Sequence, residues 1–360
     1  MKKVLIGLFI ALCLLVVGYN AYQSERQATT GKTKVYAVLP LSGVYAQYGK
    51  DVKSIIEWYI QNKKPNFEIV YMDSEGEPAK GVTAFQQRAI YAKEPIVFSV
   101  FSPISAVMTP VVKEKGGFLF SISTVGIASD LGNYQIISRS SSDIIDILLP
   151  YIQKNFKNIA IIHSDDEYGH QETKLMKSQF SGKIYEETFN PRNPDVRIEV
   201  LKLIDVNPEA IVVLGSTTPA YINIFKELKS HEYKGQILSD SGFTNPHIFN
   251  VIGDATEGVI STAMLAETTL PQSEQIQQLQ EAFQKDNKKL YYIMLEAFET
   301  LEIINYTLNN NLSFTQETYQ NMGRWKGVSG DILFLKDGKC SIKSYVLIKV
   351  KDGQIVPLEE

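Results

Sequence analysis

Short apolar runs alternate with amphipathic stretches along this chain, and that alternation limits its fold more than any other feature. The run 35–39 predicts a buried strand, and the apolar residues of 48–60 then recur at helical spacing. The same order of strand and helix continues to residue 121, starts again near Ser142 and runs on to residue 263. Because strands that alternate with helices form parallel sheets, the sequence predicts an α/β fold in which one architecture is built twice.

Two long amphipathic helices and a pair of strands follow the second series. The helices are predicted at 273–285 and 290–309, and the strands at 331–335 and 344–350. Turn-forming residues at 336–339 separate these two strands, so the sequence predicts that they pair as a hairpin. With 360 residues, the chain is long enough for about two domains.

Charge and cysteine content exclude several functional classes. Lys and Arg total 36 against 40 Asp and Glu, so the formal net charge is −4 and no basic surplus is available for nucleic-acid phosphates. Cys13 and Cys340 are the two cysteines, which excludes a disulfide framework and a cysteine zinc cluster. The four histidines are scattered singly, without a pair at i, i+4 spacing. We therefore expect no nucleic-acid partner, no metal site and no cofactor.

The N-terminus has the pattern of an export signal. Met1-Lys2-Lys3 supplies positive charge, and an uninterrupted apolar run extends from Val4 to Gly18. A signal peptide is cut after small residues, and the candidate cleavage sites here meet that requirement imperfectly. The segment 4–22 also approaches the ~20 residues that span a bilayer. We expect residues 1–22 to be a signal peptide or a signal anchor, with the body of the protein in the periplasm or on the outer face of the cytoplasmic membrane.

Hydroxyl side chains follow two neighbouring strands of the first predicted sheet. Ser102 and Ser105 come after the third strand, where a helix begins, and Ser123 and Thr124 come after the fourth. Ligands of open parallel sheets bind beyond the carboxyl ends of the strands, and a helix N-terminus at that edge suits a carboxylate. The alternative is that Ser102 or Ser105 only caps the helix.

Several short motifs resemble catalytic signatures without meeting their requirements. His163-Ser164-Asp165 contains the residue types of a hydrolytic triad, but consecutive residues of an extended chain point in alternating directions. The acidic run 165–167 is interpreted as a solvated strand end, because no second acidic or histidine cluster lies at ligand spacing. The chain contains neither Gly-x-Gly-x-x-Gly nor Gly-x-Ser-x-Gly. The sequence therefore favours ligand binding over catalysis, and no catalytic residue is assigned.

Four segments, in order along the chain, carry a resemblance to a known family. They are Pro40–Gly49 after the first strand, Asp165–Gly169 after the first strand of the second series, Val251–Gly258, and Trp325–Asp331. Together they resemble the leucine/isoleucine/valine-binding proteins, which are substrate-binding subunits of ABC importers with the type I periplasmic binding fold. The resemblance covers essentially all of residues 34–358.

This resemblance implies two Rossmann-like lobes with parallel sheets, joined by a hinge of three crossovers. Lobe I is expected at 34–139 plus 268–325, and lobe II at 140–267 plus 326–360. The three crossovers are expected near Ser138–Ser141, Ala263–Thr269 and Gly323–Gly330.

The resemblance also implies a set of ligand contacts at corresponding positions of this chain. Lobe I would supply hydroxyls and backbone amides for a ligand carboxylate, and lobe II would supply the remaining contacts. The side chains carried over are Tyr48, Ser105, Ser123, Thr124, Tyr168, Thr217 or Thr218, and Ser241, to which the strand-end serine Ser102 is added.

One position departs from the amino-acid-binding members of the family. Those members hold the ligand ammonium with an acidic side chain of lobe II, and Ser241 occupies that position here. Asp240 is adjacent, but neighbouring residues at a strand end tend to project to opposite sides. We therefore include Asp240 as a candidate contact and expect ordinary branched-chain amino acids to bind poorly.

The function expected from the resemblance is that of an extracytoplasmic substrate-binding protein of an ABC importer. Its lobes would close around a small polar ligand, either an amino acid or a related carboxylate or amide, and present it to permease subunits. One alternative is a membrane-anchored ligand-sensing receptor or regulatory module of the same fold. A second alternative is an exported hydrolase, whose turnover would depend on a single polar side chain.

Overall fold

The computed structural model describes residues 32–358 except 125, 194, 216, 217 and 287. The expected signal or anchor at 1–22 therefore lies outside the described residues, as does Thr217. Among the residues described, no helix has both the length and the hydrophobicity that a membrane span requires.

The helices and strands alternate as expected for an α/β fold over most of the chain. They are β1 Thr33–Leu39, α1 Ala46–Lys63, β2 Phe67–Asp73, α2 Pro78–Arg88, β3 Ile96–Val100, α3 Ser102–Glu114, β4 Phe118–Ile122, β5 Tyr134–Ile136, α4 Ser141–Asn155, β6 Asn158–Ser164, α5 Glu167–Gln179, β7 Lys183–Phe189, α6 Arg197–Asp205, β8 Ala210–Leu214, α7 Thr218–Ser230, β9 Gln236–Ser239, α8 Pro246–Ile252, β10 Ile260–Met264, α9 Glu274–Gln284, α10 Tyr292–Asn309, α11 Gln316–Met322, β11 Arg324–Gly327, β12 Gly330–Phe334, β13 Cys340–Ile342, β14 Tyr345–Lys351 and β15 Gln354–Pro357.

The first sheet is parallel, with strand order β2-β1-β3-β4-β5. Alternate residues of β1 enter different cores, since Val35 packs on one face of the sheet and Tyr36 on the other. Helices α1 and α10 cover the first face, and α2 and α3 cover the second. Burial of both faces accounts for the nearly continuous apolar runs of these strands.

The second sheet has strand order β15-β14-β10-β9-β8-β6-β7. Strands β6 to β10 are parallel, whereas β14 and β15 add at one edge in antiparallel pairs. Helices α4 and α5 cover one face, and α6, α7 and α8 cover the other. The predicted α/β class with two mainly parallel sheets is confirmed.

The predicted hairpin between 331–335 and 344–350 is wrong. Strand β12 pairs with β11 and β13 in a separate three-stranded sheet, whereas β14 pairs with β10 and β15 in the second sheet. The turn at 336–339 connects β12 to β13, a three-residue strand that ends before β14 begins. The local sequence pattern shows that a turn follows β12, but it does not show which strand pairs with β12.

The three-stranded sheet belongs with the first sheet and corrects the expected position of the third crossover. Ile332, Phe334 and Cys340 pack in the same core as α1 and α10. Glu299 of α10 accepts hydrogen bonds from the Trp325 indole nitrogen at 3.0 Å and from the Ser329 backbone nitrogen at 2.9 Å. The segment 326–342, expected in lobe II, therefore packs on lobe I. We define lobe one as 33–137 with 274–342, and lobe two as 141–264 with 345–357.

In each lobe, a glycine near the start of the helix that follows the first strand lets that helix pack closely on the strand end. A Cβ at Gly49 would overlap the carbonyl oxygen of Pro40, and a Cβ at Gly169 would overlap that of Ser164. The motifs Pro40–Gly49 and Asp165–Gly169 thus end in glycine for the same steric reason. Each lets a helix begin directly against the carboxyl end of a strand, where a ligand can approach.

Candidate functional site

A cavity of about 420 Å³ lies between the two lobes at the carboxyl ends of their strands. Its lining includes residues that follow β3 and β4 in lobe one and β6, β7 and β8 in lobe two. Side chains of the lining include Tyr45, Tyr48, Phe101, Ser102, Ile104, Ile122, Ser123, Thr124, Arg139, Asp165, Asp166, Tyr168, Pro191, Tyr292 and Ile293. Both lobes thus contribute to one cavity.

Aromatic side chains form much of the lobe-one wall. The ring of Phe101 lies 4.9 Å from that of Tyr45 and 5.7 Å from that of Tyr48, measured between centroids. Phe101 has φ 76°, a left-handed conformation that costs a non-glycine residue free energy. Hydrogen bonds hold this conformation, because the Phe101 nitrogen donates to Ile122 and its carbonyl accepts from the Ser105 nitrogen. The packed backbone therefore fixes the ring at the cavity wall.

Three of the expected lobe-one hydroxyls line the cavity. The Ser123 hydroxyl donates to the Ser102 oxygen at 3.0 Å, which joins the ends of β4 and α3. Thr124 lies beside them in the lining. Ser102 is the first residue of α3, and Phe101 stands in the cap position without a capping side chain. This group presents hydroxyls at the positive end of a helix.

Ser105 does not line the cavity. It is fully buried, and its hydroxyl oxygen lies 2.7 Å from the hydroxyls of both Ser99 and Ser121. These three serines connect α3 to the adjacent strands β3 and β4. Ser105 therefore supports the strand ends from behind, because the first turn of α3 directs its side chain toward the sheet.

Tyr168 lines the lobe-two side, and Asp240 lies behind it. The Tyr168 hydroxyl donates to Asp240 Oδ2 at 3.0 Å. Asp240 is fully buried and also accepts from the Tyr221 hydroxyl, the Gly215 nitrogen and the Gly242 nitrogen. Burial raises the pKa of Asp240, and the Tyr221 hydrogen bond partly offsets that rise. All four donors to Asp240 thus belong to lobe two, and Asp240 does not line the cavity.

Two further expected contacts of lobe two also lie outside the lining. Ser241 is fully buried, and its hydroxyl has no hydrogen-bond partner among the described residues. Thr218 accepts a hydrogen bond from Asn245 at 3.2 Å. Burial raises the pKa of Tyr48 in lobe one, and the nearby Thr218 and Asn245 side chains act in the opposite direction, so Thr218 lies close to lobe one at the edge of the cavity.

Arg139 is a cavity residue that the sequence reasoning missed. Its side chain is 4% exposed, and its guanidinium carbon lies 4.0 Å from the ring centroid of Tyr292 and 5.6 Å from that of Tyr345. Burial lowers the pKa of Arg139, but the nearby Tyr345 and Glu296 more than offset this effect, so the pKa is raised overall. The sequence signal was its position in the expected first crossover, where the chain passes through the cleft.

A group of buried carboxyl groups surrounds this arginine. Burial raises the pKa of Glu296 to about 7, although Arg139 acts in the opposite direction. Burial and the neighbouring Asp240 hold the pKa of Glu172 well above its ordinary value. The described residues include no group of three or more His, Cys, Asp or Glu placed to hold a metal ion. The cavity lining offers hydroxyls, aromatic rings, the buried charge of Arg139, and the charged side chains of Arg192, Asp165 and Asp166.

Comparisons with known proteins agree with this architecture. A model of the periplasmic binding protein family matches residues 32–354. The Leu/Ile/Val-binding protein homolog 2 of Brucella abortus is 22% identical over 334 residues, which cover 88% of this chain and 89% of that protein.

Two solved structures represent the fold. One is a branched-chain amino acid transporter substrate-binding protein of Streptococcus pneumoniae in complex with isoleucine, with TM-score 0.78, 16% identity, and coverage of 91% of this chain and 100% of that one. The other is a solute-binding protein of an ABC transporter of Rhodopseudomonas palustris in complex with 3,4-dihydroxybenzoic acid, with TM-score 0.81, 16% identity, and coverage of 92% and 96%.

The family model spans most of the chain, and the solved structures share its two-lobed fold. The resemblance stated from the sequence motifs is thereby confirmed. The family is made up of substrate-binding proteins and not of enzymes. The chain therefore belongs to the periplasmic binding protein family, in its Leu/Ile/Val-binding-protein-like group.

Proposed function

We propose that this protein is the exported substrate-binding subunit of an ABC importer and that it captures a small organic carboxylate between its lobes. The observation that carries the proposal is the cavity of about 420 Å³ lined by both lobes. A ligand held there contacts both lobes at once, and so favours the closed arrangement over an open one. Permease subunits would then recognise the closed form.

Contacts between the lobes around the cavity support this mechanism. The Tyr48 hydroxyl of lobe one lies near the Thr218 and Asn245 side chains of lobe two, which lower its pKa against the effect of burial. His247 of lobe two lies 3.2 Å from Asp51 of lobe one. These contacts are polar, which suits two surfaces that separate and meet again as a ligand leaves and arrives.

The surroundings of the cavity support a carboxylate as the ligand group. Ser102, Ser123 and Thr124 offer hydroxyls at a helix N-terminus, and Arg139 supplies a positive charge. Among the two structural neighbours described above, one binds isoleucine and the other binds 3,4-dihydroxybenzoic acid. Both ligands contain a carboxylate, so we propose this group for the ligand of the present chain as well.

The proposal is tested by ligand-dependent stability and shape. The purified protein without residues 1–22 is screened by thermal shift against amino acids, short-chain carboxylates, aromatic acids, amides and urea. A ligand at 100 times its Kd adds about 2.7 kcal/mol to the free energy of unfolding. Chloride at matched ionic strength is the control.

Small-angle scattering then measures whether the hit compacts the protein. We expect a smaller radius of gyration at saturating ligand, and an unchanged profile would contradict a closing mechanism. Sequencing the N-terminus of the exported protein tests whether the N-terminal segment is removed. A cut near residues 18–21 supports a released importer subunit, and an intact N-terminus supports the anchored receptor instead.

A further inference from the structure

We propose that the Arg139 guanidinium binds the ligand carboxylate, and that the ligand is a planar organic acid without an ammonium group beside that carboxylate. This inference rests on the proposed function and names the ligand class of the same cavity. Arg139 lines the cavity, is nearly fully buried, and its Nε has no hydrogen-bond partner among the described residues. A buried donor without a partner is costly unless a ligand supplies one.

The nearest carboxylate does not use up the donors of the guanidinium. Glu296 Oε1 accepts from the Arg139 backbone nitrogen at 3.2 Å and from the Tyr345 hydroxyl at 3.3 Å, and Oε2 accepts from the Ser138 hydroxyl at 3.0 Å. Nη1 of Arg139 lies 3.7 Å from Oε1, which is longer than a hydrogen bond. Glu296 is thus satisfied largely by other donors, and the guanidinium keeps capacity for an external anion.

The aromatic contacts orient the guanidinium for a planar partner. Its carbon lies 4.0 Å from the ring centroid of Tyr292 in lobe one and 5.6 Å from that of Tyr345 in lobe two, so two aromatic side chains hold it in place. The N–H groups of a guanidinium lie in its plane and match the two oxygens of a carboxylate. An arginine held between two rings therefore favours a carboxylate that approaches in the plane of the guanidinium.

The carboxylates of the described lining are Asp165 and Asp166, and both have a partner in lobe two. Asp166 Oδ1 accepts from the Ser164 hydroxyl at 2.8 Å and from the Gly169 nitrogen at 3.0 Å. Asp165 Oδ1 lies 2.9 Å from His170 Nε2, and its side chain is mostly exposed to water. Asp240 is buried behind Tyr168. An ammonium taken out of water needs a buried carboxylate partner, and neither lining carboxylate is both buried and without a partner, so we expect the cavity to disfavour α-amino acids.

The remaining lining suits the body of an unsaturated or aromatic acid. Ile104, Ile122, Pro191 and Ile293 contribute apolar surface, and Phe101 contributes an aromatic ring. Planar rings pack favourably against such surfaces, because they bury apolar area and contact other rings edge-on or offset.

The test compares benzoate with benzamide, a neutral molecule of the same shape, by titration calorimetry on the full exported chain. A charged hydrogen-bonded pair contributes about 1.5–3 kcal/mol, so we expect benzoate to bind about 10- to 100-fold more tightly than benzamide. Leucine, which carries both a carboxylate and an ammonium, is expected to bind more weakly than benzoate. Equal affinity for benzoate and benzamide would overturn the inference.

The variant Arg139→Gln together with Glu296→Gln removes the charge and its nearest buried partner at once. We expect it to lose the preference for benzoate over benzamide, while Arg324→Gln, an exposed arginine outside the lining, keeps it. Unchanged benzoate affinity in the double variant would also overturn the inference. If the double variant does not fold, the comparison of benzoate with benzamide on the wild type decides alone.

The outcomes separate this inference from the proposed function. If a neutral amide compacts the protein and acids do not, ligand capture between the lobes stands, but the carboxylate ligand and the role of Arg139 are both wrong. If amino acids compact the protein and planar acids do not, the importer function stands and the proposed ligand class is wrong. If no member of the screen stabilises or compacts the protein, the proposed function itself fails.

Discussion

The His247 imidazole lies 3.2 Å from the Asp51 carboxylate, and this contact joins α8 of lobe two to α1 of lobe one. The same Asp51 oxygen accepts a hydrogen bond from the Tyr291 hydroxyl at 2.9 Å, and the other accepts from Gln47 at 3.1 Å. Asp51 is almost fully buried, whereas the His247 side chain is 41% exposed. Lobe one therefore holds Asp51 in place, and His247 reaches it when the lobes meet.

The variant His247→Ala should weaken ligand binding by about two- to fivefold, because a partly exposed polar contact of this kind contributes at most about 1 kcal/mol to the closed form. Calorimetry with the best ligand of the screen measures this change. His231→Ala is the matched control, since His231 contacts Glu227 within lobe two. A loss in the control as large as that in His247→Ala would contradict a role in closure.

Ser105→Ala should reduce stability more than ligand affinity. The substitution leaves the buried hydroxyls of Ser99 and Ser121 without their shared partner, at a cost of about 1–3 kcal/mol in the free energy of unfolding. Urea denaturation measures that cost. Ser123→Ala, at the cavity wall, should do the reverse and weaken ligand binding by about 1 kcal/mol. A large affinity loss in Ser105→Ala with normal stability would show that Ser105 reaches the ligand.

Glu296 should make the protein less stable as the pH rises from about 4.5 to 7. Its pKa is raised to about 7 in the folded protein, so the folded state binds a proton that the unfolded state releases at lower pH. The stabilisation that protonated Glu296 contributes to the folded state is complete below about pH 4.5 and is lost as the pH rises through 7. It amounts to on the order of 3 kcal/mol.

Glu296→Gln should flatten this part of the curve of unfolding free energy against pH, and the exposed Glu274→Gln should not. Identical pH dependence in the wild type and in Glu296→Gln would contradict the assigned shift.

Leucine, isoleucine and valine should bind poorly. Asp240, the carboxylate next to the position where amino-acid binders carry their acidic residue, already accepts hydrogen bonds from two tyrosines and two backbone nitrogens. Calorimetry with the three amino acids measures this, and sub-micromolar binding to the wild type would refute it. Asp240→Asn should lower stability without creating or removing binding of these amino acids.

The sequence predicted the two main sheets because each of their elements follows from local patterns. Buried strands such as β8 are continuous apolar runs, and the helices show their buried faces in the spacing of apolar residues. The pairing of β12 and the third crossover could not be obtained in this way. Both depend on contacts between α10 and residues 324–342, and nothing in the local pattern of either segment encodes its partner.

The candidate site was predicted in part for a similar reason. Five of the expected contacts follow strands or lie near the start of helices, so their position along the chain alone brings them to the cavity. They are Tyr48, Ser102, Ser123, Thr124 and Tyr168. Whether a side chain at such a position points into the cavity or behind it depends on the exact turn, as Ser105 and Asp240 illustrate. The part played by Arg139 depends on tertiary burial, and its position in the expected first crossover was the one sign of it in the sequence.

The packing of the three-stranded sheet on lobe one has a spectroscopic consequence. Trp58 and Trp325 are the two tryptophans of the chain, and both pack against the core of lobe one. Tryptophan fluorescence therefore follows the unfolding of that lobe in the intact protein, whereas far-ultraviolet circular dichroism follows the helices of both lobes. The difference between the midpoints of the two unfolding curves therefore measures whether one lobe unfolds while the other stays folded.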